Sequence, residues 1–485
     1  MMINWKMICR IMGILLFIEA GFMSLCTLLS LYYKEPDLSA FIYSTFITIG
    51  AGIPFIYAGK GAERKLNRRD GYIIVTFAWI AISIFGMFPY YISGYIPSIT
   101  NAFFETMSGF TTTGASILNN IESLPHALLF WRSLTQWIGG MGIVIFTIAI
   151  LPIFGVGGIQ LFAAEATGPK LDKVSPRISV TAKWIWTIYI GLTIAATLSL
   201  SACGMSLFDS VCHAMSTTAT GGFSTKQDSI AAFQSPSIEY VILVFMFLSG
   251  INFSLLYLLF LKGRIKKLLK DTELKWYIST VTFFTILITI GLLLSSSISI
   301  EEAFRKASFL VVSLQTTCGF ITADYMQWAP PLWMLTTIIT YCGACAGSTS
   351  GGIKCIRAVI MFRIAKNEFK HIIHPNAVLP VRVNETVISS TTKSTVLAFF
   401  VVFALLVFAG WFIMMVIGLD FDDAYSVVIS SLANVGPGIG MCGPAFSWDA
   451  LPDAAKWLST LYMLIGRLEL FTVLLLLTPG FWKKR

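Results

Sequence analysis

Four seven-residue strings decide how this chain folds: SGFTTTG (Ser108–Gly114), STTATGG (Ser216–Gly222), SLQTTCG (Ser313–Gly319) and SSLANVG (Ser430–Gly436). Aligned without gaps on the closing glycine, each carries serine six positions earlier. Two positions before the glycine stand Thr112, Thr220, Thr317 and Asn434, all short and polar, and seven before it stand Met107, Met215, Val312 and Ile429. A single Thr/Ser/Gly string in an apolar chain is an ordinary packing or turn feature. Four in register, about 100 to 120 residues apart, form an internal repeat.

The surroundings of these strings set their medium. Of 485 residues 56% are apolar and only 12% charged, and the mean hydropathy is positive, which excludes an ordinary soluble domain. Apolar runs of roughly 20 residues, enough to cross about 30 Å of hydrocarbon, recur along the whole chain. Ten full spans are expected, near 10 to 32, 39 to 59, 72 to 93, 128 to 152, 183 to 203, 238 to 261, 276 to 296, 332 to 361 (interrupted), 395 to 417 and 457 to 480. The first run, Ile8 to Leu31, is too long for the apolar part of a signal peptide. The four strings lie in segments near 101 to 118, 207 to 225, 302 to 322 and 422 to 440, which are too short to cross and read as re-entrant helix plus loop. The expected fold is an all-α polytopic membrane protein. Four span, short helix, span repeats (71–160, 161–270, 271–375 and 376–485) surround a central pore, after an N-terminal two-span unit at 1–70.

Charge supplies the orientation. With the N-terminus inside, most of the 34 basic residues fall in cytoplasmic pieces, and only Lys34, Lys226, Arg305, Lys306 and Lys456 remain in outer ones. Both termini and the basic loops then face the cytoplasm, and all four strings face outward. The net charge of +9 is therefore a topology signal, and no nucleic-acid partner is implied. Acids gather outside, among them Asp420, Asp422, Asp423, Asp449 and Asp453, and concentrate cations at the outer mouth. The nine cysteines lie mostly in apolar runs without paired metal spacing and the four histidines are scattered, so no zinc site, disulfide framework or covalently bound cofactor is implied.

A dehydrated cation needs roughly six to eight oxygens, and backbone carbonyls supply them without the tight grip of a carboxylate. Glycine permits the dihedrals that turn successive carbonyls toward one axis, while neighbouring hydroxyls add ligands or brace the loop. The short helix before each loop aims its negative C-terminal end at the same place. Asp209, Glu301, Glu302, Asp422 and Asp423 suit the opposite ends. The expected ion-binding residues are Thr112, Thr113 and Gly114; Thr220, Gly221 and Gly222; Thr317, Cys318 and Gly319; and Asn434, Val435 and Gly436.

The four loops, WRSLTQWIGGMGIVIFTIAILP (Trp131–Pro152), EATGPKLDKVSPR (Glu165–Arg177), GACAGSTSGGIK (Gly343–Lys354) and GRLEL (Gly466–Leu470) together resemble the Trk/Ktr/HKT superfamily of K+ transporters, within it the bacterial TrkH/TrkG branch. The resemblance covers nearly the whole chain, including the two extra N-terminal spans. It implies K+ uptake across a bacterial inner membrane through a selectivity filter with one glycine per loop, and Gly114, Gly222, Gly319 and Gly436 are all present. The fourth loop, ANVGPGIG, with Val435 and Pro437, is the least regular. The resemblance further implies a homodimer and a separate cytosolic ring of nucleotide-binding subunits of the TrkA type, nucleotide entering only through that ring. The stretch from Arg363 to Glu385 and the loop from Lys262 to Lys275 are docking surfaces for such a ring or for anionic lipid.

Residues 343 to 352 interrupt the second span of the third repeat with a run of low helix propensity. Close helix packing through small residues is one reading of that run. The family resemblance makes it an intramembrane gating loop, with Gly343, Gly347, Ser348, Thr349, Gly351, Gly352 and Arg467 as gate residues. Arg467 should lie roughly 17 Å deep, level with the break, facing a cavity and loop carbonyls, loop hydroxyls or Glu469. Arg132, near the outer end of its span, is expected to snorkel and to be structural. A transporter rocking about a midplane site also uses broken helices, but expects charged coupling residues, of which the spans offer only Glu19, Arg132, Arg467 and Glu469. A membrane enzyme would need a clustered nucleophile or metal set, which is missing. Passive flow and symport with H+ or Na+ both fit this reading.

Overall fold

The computed structural model describes residues 3–63, 66–142, 178–384, 386–444 and 446–483. Two long apolar helices open the chain, α1 (Trp5–Tyr33) and α2 (Leu38–Ala58). They pack closely because Gly13 and Gly52 face each other: a Cβ on Gly13 would sit 3.0 Å from the Gly52 carbonyl oxygen. Next come α3 (Arg68–Gly86) and α4 (Phe88–Ile92), which together make one span, then α5 (Ile99–Phe110), α6 (His126–Gly140) and α7 (Ile178–Ala202). The inner end of the span expected at 128 to 152, and the Glu165–Arg177 motif, lie outside the described residues.

The remainder alternates in the same way. A short helix α8 (Leu207–Ala219) precedes α9 (Pro236–Ser249) and α10 (Phe253–Phe260). After α11 (Ile265–Lys270) come the span α12 (Thr272–Ser295), the short helix α13 (Ile300–Gln315), and then α14 (Pro330–Tyr341) and α15 (Cys355–Ile373). A hairpin of β1 (Arg382–Val383) and β2 (Thr386–Val387) leads to the span α16 (Ser390–Ile417), the short helix α17 (Phe421–Ala433), and α18 (Asp453–Arg467) with α19 (Phe471–Leu474). Among the described residues the fold is all-α but for that hairpin and an isolated bridge between Cys342 and Ile353.

Helices α5, α8, α13 and α17 have 12, 13, 16 and 13 residues, about 18 to 24 Å at 1.5 Å per residue, so none can cross the bilayer. Serine hydroxyls of Ser98, Ser206 and Ser299 accept from Asn101, Asp209 and Glu302 N–H and start three of them. Their C-terminal turns are buried among the surrounding spans. Large apolar side chains such as Leu28, Phe46, Leu198, Leu294 and Phe412 stay exposed on the outer helix faces, as a lipid-facing surface requires.

Two spans expected to be continuous are broken. The α9–α10 pair bends by 106° between Ser249 and Phe253, and the α18–α19 pair by 110° between Arg467 and Phe471. Asn252 starts α10 by accepting from Ser254 N–H, and Glu469 and Leu470 both take positive φ (58° and 56°). Apolar residues flank both bends, so a hydropathy average taken over a whole span passes across Asn252 and across Arg467 and Glu469. The expected interruption between α14 and α15 is present, running from Cys342 to Lys354.

Candidate ion-conduction site

Each short helix ends in the same backbone construction. The N–H of Thr112, Thr220, Thr317 and Asn434 donates to the carbonyl three residues back. The next N–H, of Thr113, Gly221, Cys318 and Val435, reaches back to the serine carbonyl of Ser108, Ser216, Ser313 and Ser430 at 2.8–3.1 Å. This wraps the last helical turn onto itself and places Thr112, Thr220, Thr317 and Asn434 at φ 52° to 57°, with the closing glycines at φ 79° to 93°. A β-branched residue in the left-handed region is strained, and three threonines here accept that strain.

The four loops meet as a closed ring. A Cβ on Gly114 would fall within 3.0 Å of the Gly221 carbonyl oxygen, one on Gly222 against Cys318 O, one on Gly319 against Val435 O, and one on Gly436 against Thr113 O. Each loop thus presents the carbonyl before its glycine to the glycine of the preceding loop, and the fourth closes on the first. Only residues without a side chain permit this approach. The hydroxyl of Thr112 and the amide oxygen of Asn434 are buried without a hydrogen-bond partner among the described residues.

On one side of the ring a hollow of about 100 Å³ is lined by Gly114, Gly222, Gly319 and Gly436 together with Arg132, Lys226 and Asp228. On the other side a larger cavity of about 390 Å³ is lined by residues 346–352, Lys354, Glu273, Gly466, Arg467 and Glu469. The loop 342–354 lines this larger cavity and is bonded to the ring. Thr349 Oγ1 donates to Thr218 O (3.1 Å) and receives the Thr220 hydroxyl (3.1 Å), while Gly351 N–H donates to Thr317 Oγ1 (2.6 Å). The loop is thus fastened directly to the second and third glycine loops, and Gly351 also abuts Ala433 O and Asn434 of the fourth.

The loop is not merely unwound. Gly343 N–H pairs with Ile353 O (2.9 Å), so its ends meet, and the Glu273 carboxylate at the start of α12 accepts from Ala346 N–H (2.6 Å) and Ile356 N–H (3.0 Å). Gly347 and Gly352 take positive φ, at 72° and 65°, and Ser348 bonds back to Cys345 O. Arg467 donates to Thr349 O (2.8 Å), Gly139 O (2.6 Å) and Gly140 O (3.0 Å), bridging the loop to the end of α6. Glu469 instead pairs with Arg357, and the buried Lys354 ammonium bonds to Ser350 O. The sequence reading offered Glu469 as a partner of Arg467 and did not connect it with Arg357 or Lys354.

Arg132 does not snorkel. It is 1% exposed and its Nε donates to Glu105 Oε1 at 2.9 Å, with Nη1 on Ser224 O and its Cζ 4.1 Å from the centroid of the Phe223 ring. Glu105 also holds Ser116 and Ile117 N–H, so the pair ties α5, the first loop and the second loop together from behind. Gln136, which the sequence did not single out, stands between the amide groups of the second loop, on Gly221 O and Phe223 N–H.

The model of one protein family, a cation transport protein family called TrkH, matches residues 39–483. The chain belongs to the TrkH family of cation transport proteins. It is 38% identical over 485 residues to the Trk system potassium uptake protein TrkH of Salmonella typhimurium, covering 99% of this chain and all of that one. It is 35% identical over 468 residues to the Trk system potassium uptake protein TrkG of Escherichia coli K12, covering 94% of each. The crystal structure of the potassium transporter TrkH from Vibrio parahaemolyticus superposes with a TM-score of 0.90 at 35% identity, covering 99% of this chain and all of that one. As a TrkH family member the chain is a multi-pass membrane transport protein and not an enzyme.

Proposed function

We propose that this chain takes up K+ across a bacterial inner membrane, through a central path whose outer constriction is the ring of glycine loops and whose inner end is closed by the 342–354 loop. The ring carries the reading: four backbone carbonyls, of Thr113, Gly221, Cys318 and Val435, each lie against the closing glycine of the preceding loop, and the first closes on the fourth. Carbonyls so arranged replace the hydration shell of a monovalent cation, with Thr112, Thr220, Thr317 and Asn434 adding or bracing oxygens. The names of its relatives support K+ as the ion. K+ is cargo here, and no other cofactor is part of the reading.

The four span, short helix, span units (71–160, 161–270, 271–375 and 376–485) follow the N-terminal two-span unit, 1–70, and both termini face the cytoplasm. The positive-inside distribution supports that orientation. Gly343, Gly347, Ser348, Thr349, Gly351 and Gly352 form the gate and Arg467 holds it, supported by the bonds from Thr349 and Gly351 to the second and third loops. A homodimer forms the working unit. A cytosolic nucleotide-binding ring of the TrkA type opens the gate by docking on the basic pieces at 363–385 and 262–275.

Flux through purified protein in liposomes tests the reading, with K+, Rb+ and Na+ compared and the pH gradient varied. K+ and Rb+ should pass well ahead of Na+. Equal rates for all three would refute a carbonyl filter, and a K+ rate that follows an imposed pH gradient would make the path a proton symporter.

A further inference from the structure

The ring is not fourfold in its support. Gln136 on α6 is fully buried, and its Nε2 donates to Gly221 O at 2.6 Å while its Oε1 accepts from Phe223 N–H at 3.0 Å. A carbonyl only accepts and a backbone N–H only donates, so the amide has one orientation that satisfies both. The two contacts straddle Gly222. A side chain at position 221 would collide with the Gln136 carboxamide, and of the four loops only this one has glycine directly before its closing glycine. Among the described residues, the carbonyls of Thr113, Cys318 and Val435 receive no such side-chain donor.

We infer that Gln136 is a positioning residue for ion selectivity, acting through the Gly221 carbonyl to disfavour Na+ relative to K+. The inference rests on the filter reading above and deepens it. A donor on one lone pair draws electron density from that oxygen and leaves the other lone pair for the ion. The oxygen then presents a weaker field, which favours the larger and more weakly hydrated cation. The same bond holds the oxygen back from collapsing inward onto a smaller ion. Both effects oppose Na+.

Gln136→Met removes both hydrogen bonds at nearly constant volume, and Gln136→Leu does so with a different shape, so one serves if the other fails to accumulate. In liposomes the K+/Na+ flux ratio should fall about fivefold in either, the scale of one net hydrogen bond. The change should be graded by ion size, with Na+ flux rising and Rb+ following K+. General loosening would move all three fluxes together, and that result would overturn the inference. So would an unchanged ratio in a monodisperse variant whose Gly114→Ser counterpart has lost discrimination, because the filter reading then stands without Gln136. If Gly114→Ser also keeps its ratio, the filter reading itself fails and takes the inference with it.

Discussion

Replacing Arg467 by alanine removes a guanidinium that holds the inner loop and stands beside the path. Its Nη1 on Thr349 O is the bond to the loop, and its Nη2 on Gly139 and Gly140 O anchors the other side to α6. A hydrogen bond from a charged donor contributes about 1.5–3 kcal/mol, so losing the one to Thr349 should favour loop release by about ten- to hundredfold. The charge acts separately. At about 6 Å and an effective dielectric of about 20, a unit charge opposes a passing cation by about 2.8 kcal/mol, on the order of a hundredfold in rate, and cavity water cuts this severalfold. Rb+ uptake into liposomes without any cytosolic partner should therefore rise at least about tenfold. Lysine keeps the charge but cannot span Thr349 O and the α6 carbonyls at once, so fluxes should order as alanine, then lysine, then arginine. If Arg467→Ala reconstitutes at normal yield and conducts no faster than the parent, the residue is a structural bridge and the loop is not held shut by it.

Gly114→Ser and Gly319→Ser place a Cβ at φ 79° and 84° against the carbonyls of Gly221 and Val435, so K+/Na+ discrimination should fall in both; unchanged flux ratios would break the filter assignment. Deleting three residues between Ala344 and Ser350 should raise basal K+ flux and leave selectivity alone, and a folded deletion with parental flux would make the loop a packing element. Glu105→Gln leaves the Arg132 charge buried without its counter-ion and should cost about 3–5 kcal/mol, read as a marked fall in Tm in detergent, whereas an unchanged Tm would show that Ser224 O and the Phe223 ring suffice.

The ring was readable because its chemistry is written in residue types. A backbone-to-backbone approach demands glycine, and four demands of the same kind leave four glycines in register. The serine column stood out by its repetition, although the carbonyl it lends to the helix turn is one that any residue has; the hydroxyls of Ser313 and Ser430 donate to Phe320 O and Gly436 O of their own loops. The preceding Thr and Asn column was read as ligand or brace, yet these residues are also the left-handed corner of the turn; threonine gives no hint of this, whereas Asn434 does. Partnerships across the chain were not readable. Arg132 and Glu105 lie 27 residues apart on different helices, and only their burial distinguishes a strut from a snorkelling side chain. The bends before Phe253 and after Arg467 escaped because a hydropathy average over about 20 residues smooths over the few polar ones at each turn, Asn252 in the first and Arg467 and Glu469 in the second.

On the proposed path, the cyclic nesting of the loops also sets the point in synthesis at which the ring can close. The amide of Asn434 reaches the Thr113 hydroxyl across 321 residues, so the ring has an open side until the fourth repeat has left the ribosome and entered the bilayer. Arg467 follows shortly after Gly436 in the chain. The last wall of the path and the side chain that restrains the inner loop are therefore made almost together, after the loop at 342–354 is already in place. On the proposed path, a partly translated chain lacks the fourth wall of the ring, and the segment that supplies it is followed within the same repeat by the arginine that holds the inner loop.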